Sequence, residues 1–439
     1  PVTNEPQSSG NITRIAELEY IIDSQFMTRL TREDVSAKLF ISKRQLDRIC
    51  QKRFGKSFHE EVNLSTEVTD EDKANGIKDE YGVLYSPDGK RLLKGNKNIT
   101  SYTIKEGTKV ICDSAFDFKF WYSSLQSIVI PDSVTKIGNK AFMFCPSLQS
   151  IVIPDTVTKI GDWAFWGCTS LQSIIIPDSV TEIGDWAFKE CSSLQSIVIP
   201  ESVTEIGDMA FRECESLQNI VIPNSVTKIG DEAFDGCSSL QSIVIPEAVT
   251  KIGDHAFHEC SSLQSIVIPN SVTEIGFRPF PLGIKVISHS NRFVVTDDLL
   301  IDLKEKRLIQ TIKDKEHIVI PEAVTEIGNW AFSFESLQSI VIPEAVTKIG
   351  DWAFFECSSL QSIVISEGTK EHFKRILGYH DSLKEIDYKK IYNSLGMCYE
   401  FGIEHERNME KAEKYYAKAK ELEDKEKSNE IICDDDLPF

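Results

Sequence analysis

One stretch, Leu171-Gln-Ser-Ile-Ile-Ile-Pro-Asp-Ser-Val-Thr-Glu-Ile-Gly-Asp-Trp-Ala-Phe-Lys-Glu-Cys191, recurs along this chain with few changes, and that recurrence limits the fold more than any other feature. Its leading leucine falls at Leu125, Leu148, Leu171, Leu194, Leu217, Leu240 and Leu263, every 23 residues, and again at Leu337, Leu360 and, worn down, Leu383. A unit of this length cannot close a core alone; it does so by stacking on copies of itself. Within each unit the apolar residues are mostly two or three apart, and Pro and Gly interrupt before a helix could reach ten residues. Leu-x-x-Ile-x-Ile-Pro therefore predicts a short strand ending at proline, Val-Thr-x-Ile-Gly a second extended piece, and Ala-Phe-x-x-Cys a short turn. Each unit is expected to be one coil of a β-rich solenoid.

Near-identity makes the columns informative, because positions that vary are not dictated by the stacked core. Cys145, Cys168, Cys191, Cys214, Cys237, Cys260 and Cys357 form a nearly constant column, read as small buried filler and reduced. The position before Ala-Phe varies: Lys140, Trp163, Trp186, Met209, Glu232, His255, Trp330 and Trp352. Exposed tryptophan favours interfaces, so Trp163, Trp186, Trp330, Trp352, Met209 and His255 are the candidate protein contacts, against packing on the neighbouring coil. After Ile-Pro stand Asp132, Asp155, Asp178, Glu201, Asn224, Glu247, Asn270, Glu322 and Glu344, expected to be solvated turn positions or an attraction for a basic partner. His255, His258 and Cys260 make a His-x-x-His-x-Cys run, but the cysteine belongs to the core column, so no metal is assigned. No phosphate loop, dinucleotide fingerprint or Gly-x-Ser-x-Gly elbow occurs, so no catalytic residue and no cofactor is expected.

The run Ile-Pro-x-x-Val-Thr-x-Ile-Gly-x-x-Ala-Phe-x-x-Cys-x-x-Leu-x-x-Ile resembles the BspA-like, treponemal type of leucine-rich repeat, over roughly residues 80 to 386. That resemblance implies a right-handed, curved solenoid of 23-residue leucine-rich repeats that binds proteins or host surfaces without catalysis. Two runs depart from the period. Gly82 to Leu93 carries Pro-Asp-Gly between strand-like runs, and Leu299 to Ile309 repeats its pattern, each 22 residues before an alanine of the next coil. They predict two β-hairpin insertions, near 81–100 and 291–316, within a solenoid of 81–386.

The chain has 439 residues and a net charge of −20, which disfavours general binding to nucleic acid or anionic membrane. Residues 29–56 oppose that average, with nine Lys or Arg against three acids, a net of +6. Thr31 and Ser42 are expected caps of two short helices there. Ser42, Leu46, Arg48, Gly55 and Ser57 resemble the first helix-turn-helix of the AraC family. The likeness implies DNA contacts from Lys43, Arg44, Asp47, Arg48 and Lys52, although that family pairs two such units and places them at its C-terminus. At the other end, Leu395 to Gly402 and Lys411 to Ala419 resemble one Sel1-like repeat. The expected organisation is a disordered 1–12, a helical 13–64, a linker 65–80, the solenoid, a helical hairpin 387–422 and an acidic tail 423–439, with small α-helical domains flanking the solenoid.

No run of 18 apolar residues occurs, so no membrane insertion is expected. Pro1 to Gly10 lacks signal-peptide features, which favours a cytoplasmic protein, or a surface one if a leader was removed. The leading expectation is a non-enzymatic scaffold for a protein ligand; the alternatives are a DNA-binding regulator and a secreted adhesin.

Overall fold

A computed structural model describes residues 65–118, 123–332, 336–355 and 357–365, with most of 409–424. The chain forms two compact units, divided between Ser225 and Val226. The helix-turn-helix expected at 13–64, residues 1–12 and most of the segment after 365 lie outside the described residues.

In the first unit each coil contributes two short parallel strands. One ladder runs through Ser101–Thr103, Ser127–Val129, Ser150–Val152, Ser173–Ile175, Ser196–Val198 and Asn219–Val221, the last five in register at the repeat period, with Ile151 opposite Ile174 and Ile174 opposite Ile197. The other runs through Val110–Ile111, Lys136–Ile137, Lys159–Ile160, Glu182–Ile183 and Glu205–Ile206. Within two residues each strand of the first ladder after Ser101–Thr103 meets a proline, such as Pro154 or Pro177, which has no amide to continue a ladder. Between the ladders lies the repeated core: Leu171, Ile174, Ile176, Val180, Ile183, Ala187, Phe188 and Cys191 of one coil are all buried. The phenylalanines Phe116, Phe142, Phe165, Phe188 and Phe211 form one stack, with centroids 5.3 to 5.5 Å apart and planes within 10°. Each such ring pair adds about 0.5–1.5 kcal/mol beyond the area it buries.

Three polar devices tie coil to coil. The cysteine thiols donate to the phenylalanine carbonyl of the preceding coil, Cys168 to Phe142 at 3.2 Å and Cys191 to Phe165 at 3.3 Å. Burial pushes the thiols of Cys145 and Cys214 up to about 12. Ser179 and Ser202 donate to the carbonyls of Val157 and Val180 at 2.6 and 2.5 Å. The acid before the variable column accepts the amide of its counterpart in the next coil, Asp208 N to Asp185 Oδ1 at 2.8 Å. That acceptor explains the preceding glycine: a Cβ on Gly184 would stand 2.5 Å from Asp162 Oδ1 and 2.7 Å from its amide.

The stretch 65–80, expected to be a linker, instead carries elements of its own. Helix Asp70–Asn75 starts at Thr69 with a reciprocal capping box to Asp72. Ile77–Lys78 pairs antiparallel with Leu84–Tyr85, which pairs antiparallel with Arg91–Lys94, and that strand joins the parallel ladder at Val110–Ile111. Arg91 fastens the segment through Asp72 Oδ1 at 2.7 Å, the Ser65 carbonyl at 2.9 Å and the Glu67 carbonyl.

The second unit repeats the plan. Lys228–Ile229, Lys251–Ile252 and Glu274–Ile275 are parallel, as are Ser265–Ile268 and Lys285–Ser288. Phe293–Thr296, Leu299–Asp302 and Arg307–Thr311 then run antiparallel. The last of these opens a further parallel ladder with Glu326–Ile327 and Lys348–Ile349, beside one of His317–Val319, Ser339–Ile342 and Ser362–Ile365. The antiparallel section is pinned by buried Asp302, which accepts from Arg292 Nε and Nη2 at 2.9 and 2.7 Å. Burial would raise this carboxyl, but the Arg292 bonds and the amides of Glu305 and Lys304 outweigh it and hold it below the usual carboxylate range.

Candidate binding surfaces

Every described member of the variable column before Ala-Phe has positive φ: 58° at Lys140, Trp163 and Trp352, 61° at Trp186, 54° at Met209, 53° at Glu232, 52° at His255 and 57° at Trp330. A left-handed non-glycine costs about 1 kcal/mol or more, so the backbone, not the side chain, is what this position conserves. The side chains then pack along the stack. Trp163 meets Trp186 edge-on at 6.1 Å, and Trp166 lies 6.3 and 5.8 Å from them. Lys140 Nζ sits 3.8 Å from the Trp163 ring centre, and Lys189 Nζ lies 5.0 Å from Trp186 while paired with Glu190 at 2.9 Å. In the second unit Trp330 stacks on Trp352 at 5.8 Å, with Phe355 edge-on to both and His255 against Trp330. Of the six candidate contacts, Trp352 is exposed, at 60%, and the other five are half-buried. Part of the aromatic surface is thus committed within the chain.

A different column is the open one. In the strands of the first ladder from Ser127–Val129 to Asn219–Val221 the two flanking isoleucines point inward and the residue between them points out. Val129, Val152, Ile175, Val198 and Val221 are 58% to 76% exposed. They stand one strand spacing apart, so the stripe spans roughly 19 Å at about 4.8 Å per strand. Single exposed aliphatics mean little, whereas a contiguous apolar row marks a contact surface. The signal was present in the Ile-Val-Ile triplet: a strand alternates faces, so the central residue of three must face away from the core its neighbours fill. Beside the stripe, Asp132, Asp155, Asp178 and Glu201 of the acidic column are all exposed. The second unit has its own outward members, Val244, Val267 and Ile287.

Further along the second unit the same face is covered. Ser339 and Val341, which match Ser196 and Val198, are 8% and 5% exposed. The described residues of 409–424 are helical there, with Ala412 and Ala419 buried and Tyr416 and Glu423 half-buried, one stripe at helical spacing. Lys414 Nζ lies 3.4 Å from Glu322 Oε1, a member of the acidic column.

Asp235, His258 and Glu259 bring ligand atoms within 4.8 Å of one another, His258 Nδ1 being 2.9 Å from Asp235 Oδ1. Cys260 of the same run faces the core and donates to the Phe234 carbonyl at 3.1 Å, so the His-x-x-His-x-Cys spacing does not converge on one point. The DNA-contact candidates Lys43, Arg44, Asp47, Arg48 and Lys52 lie outside the described residues. Among the described residues no helix is long and apolar enough to cross a membrane.

The BspA type leucine-rich repeat region, described as six copies, matches residues 89–191, 117–239, 181–286 and 310–400. A leucine-rich cell surface protein from Faecalibacterium prausnitzii A2-165 is 30% identical, with 66% of this chain and 76% of that one covered and a TM-score of 0.48. A leucine-rich repeat protein from Bacteroides ovatus is 26% identical over 66% and 74% of the chains, with a TM-score of 0.45. The leucine-rich repeat protein of T. pallidum is 24% identical over 72% and 97%, with a TM-score of 0.32. No curated protein matches.

Proposed function

Because this chain belongs to the BspA-type leucine-rich repeat family, we propose that it is a protein-binding scaffold whose contact face is the outward row of the ladder from Ser127–Val129 to Asn219–Val221. One observation carries the reading: five aliphatic side chains, from Val129 to Val221, stand exposed in register on a rigid parallel ladder. A rigid face loses little conformational entropy on binding, and a row of branched aliphatics supplies the apolar centre that interfaces place at their energetic core. The exposed glutamines beside it, Gln149, Gln172, Gln195 and Gln218, supply a polar rim. The aromatic column, with Trp352 the open member, is the second candidate anchor on the same scaffold.

Affinity capture from the native cells with the full chain tests this. The wild type is expected to retain a defined protein, and the triple variant Val152→Asp, Ile175→Asp, Val198→Asp to lose it while keeping the wild-type circular dichroism spectrum. If the triple variant still retains it, and alanine at Trp163, Trp186, Trp330 and Trp352 abolishes retention, the contact face is the aromatic column instead.

A further inference from the structure

We propose that the exposed stripe of the first unit receives a lysine-bearing amphipathic helix, with the acidic column beside it as the charge selector; the inference rests on the reading that this face binds protein. Three observations point to that occupant. The first is charge. Asp132, Asp155, Asp178 and Glu201 stand exposed one coil apart along the stripe, and parallel acids at that pitch are relieved by a row of cations and aggravated by anions.

The second is the chain's own use of the same face. In the second unit the matching strand positions, Ser339 and Val341, are covered, and a helix reaches that side of the stack, where its Lys414 meets Glu322 of the acidic column. Ala412 and Ala419 of that helix are buried, and residues this small let a helix axis approach its neighbour closely. Residues 409–424 hold four lysines and five acids, with all four lysines inside 411–420 and three of the acids after them.

The third is length. A sixteen-residue helix extends about 24 Å at 1.5 Å per residue, enough to cross the roughly 19 Å of five strands. A helix laid across a sheet is also the ordinary way for a sheet to bury an apolar face. The first unit therefore offers, unoccupied by any described residue, the kind of seat that is covered in the second.

The test uses the full chain and a fluorescein-labelled peptide of residues 409–424, stapled between positions 413 and 417, both on the exposed side, so that helix formation is not limiting. Fluorescence anisotropy is expected to show saturable binding that weakens with salt. Val152→Asp with Ile175→Asp should weaken it at least about tenfold, as a charge left in a desolvated apolar contact does. Asp155→Asn, Asp178→Asn and Glu201→Gln together should weaken it about threefold or more and flatten the salt dependence. A peptide with its lysines replaced by glutamate should not bind.

Absence of saturable binding overturns the inference, and so does binding that the stripe substitutions leave unchanged, which would locate the peptide in the second unit. Light scattering on the chain alone gives a further arm: a dimer that dissociates on Val152→Asp with Ile175→Asp makes a second copy the occupant and also overturns it. If the native partner is lost by the triple variant while the helical peptide fails to bind, the protein-binding reading stands and the helix alone falls.

Discussion

Ser196-Ile-Val-Ile-Pro200 and Ser339-Ile-Val-Ile-Pro343 are the same five residues in the same kind of parallel strand, and their central valines live in opposite surroundings. Val198 is 64% exposed and Val341 is 5% exposed. The inward isoleucines do not differ: Ile197, Ile199, Ile340 and Ile342 are all buried. The repeat therefore dictates which residues fill the stack and leaves the outer face to be decided by whatever lies against it. A perfect repeat can carry both an open surface and a closed one without a change in the strand itself.

The largest expected effect is common to both regions and tests the claim that their interiors match. Burial raises the column thiols, to about 12 at Cys145 and Cys214, so they stay neutral in the fold where the unfolded chain would ionise them. Their contribution is fully present below the unfolded thiol value of about 8.5 and is lost as pH rises toward the folded one, summing along the column. Urea melts at pH 7 and pH 10 should show a marked loss at the higher pH, and iodoacetamide should alkylate the column quickly only in denaturant.

Next, Phe188→Ala and Phe354→Ala should each cost about 3–5 kcal/mol in a urea melt, since each removes one ring from a stack of the same geometry. A large inequality would break the equivalence of the interiors. The contrast itself is sharpened by Val341→Asp, expected to cost about 3 kcal/mol or more, against less than about 0.5 kcal/mol for Val198→Asp. Equal costs would mean the two faces are alike. The smallest effect is Lys414→Ala, below about 0.5 kcal/mol, because Lys414 and Glu322 are both more than half exposed and such pairs add little.

Much of the architecture could be read directly. Strand, proline, second strand and turn follow from spacing, and the period itself places Leu, Ile, Ala, Phe and Cys in the core. The aromatic column was harder to read because residue type does not separate an exposed contact from a ring packed on the neighbouring coil. The left-handed backbone at all eight residues is a third feature the sequence did not suggest, and Trp163 and Trp186 do pack on one another. Nothing in residue type alone announces left-handed Trp163 or Trp186, since glycine would be the ordinary choice there. The aliphatic stripe was overlooked for the opposite reason: valine and isoleucine look like core, and the two-residue alternation has to be applied within a triplet to turn one outward. The linker reading of 65–80 failed because Arg91 gathers that segment from outside it, a contact no local pattern carries.

The bonds between coils join residues 22, 23 or 26 apart: Ser202 to Val180, Asp208 to Asp185, Cys191 to Phe165. Excision of residues 172–194 would present every such donor with the same type of acceptor one coil earlier, so the array can lose or gain a whole coil without inventing chemistry. Coils of 26 residues, from Ser101 to Ser127, and of 22, from His317 to Ser339, keep the strands in register too, their turns taking up the difference. The face available to a partner can thus lengthen or shorten only in steps of one strand spacing, about 4.8 Å, which makes the repeat number a ruler for the size of what is bound.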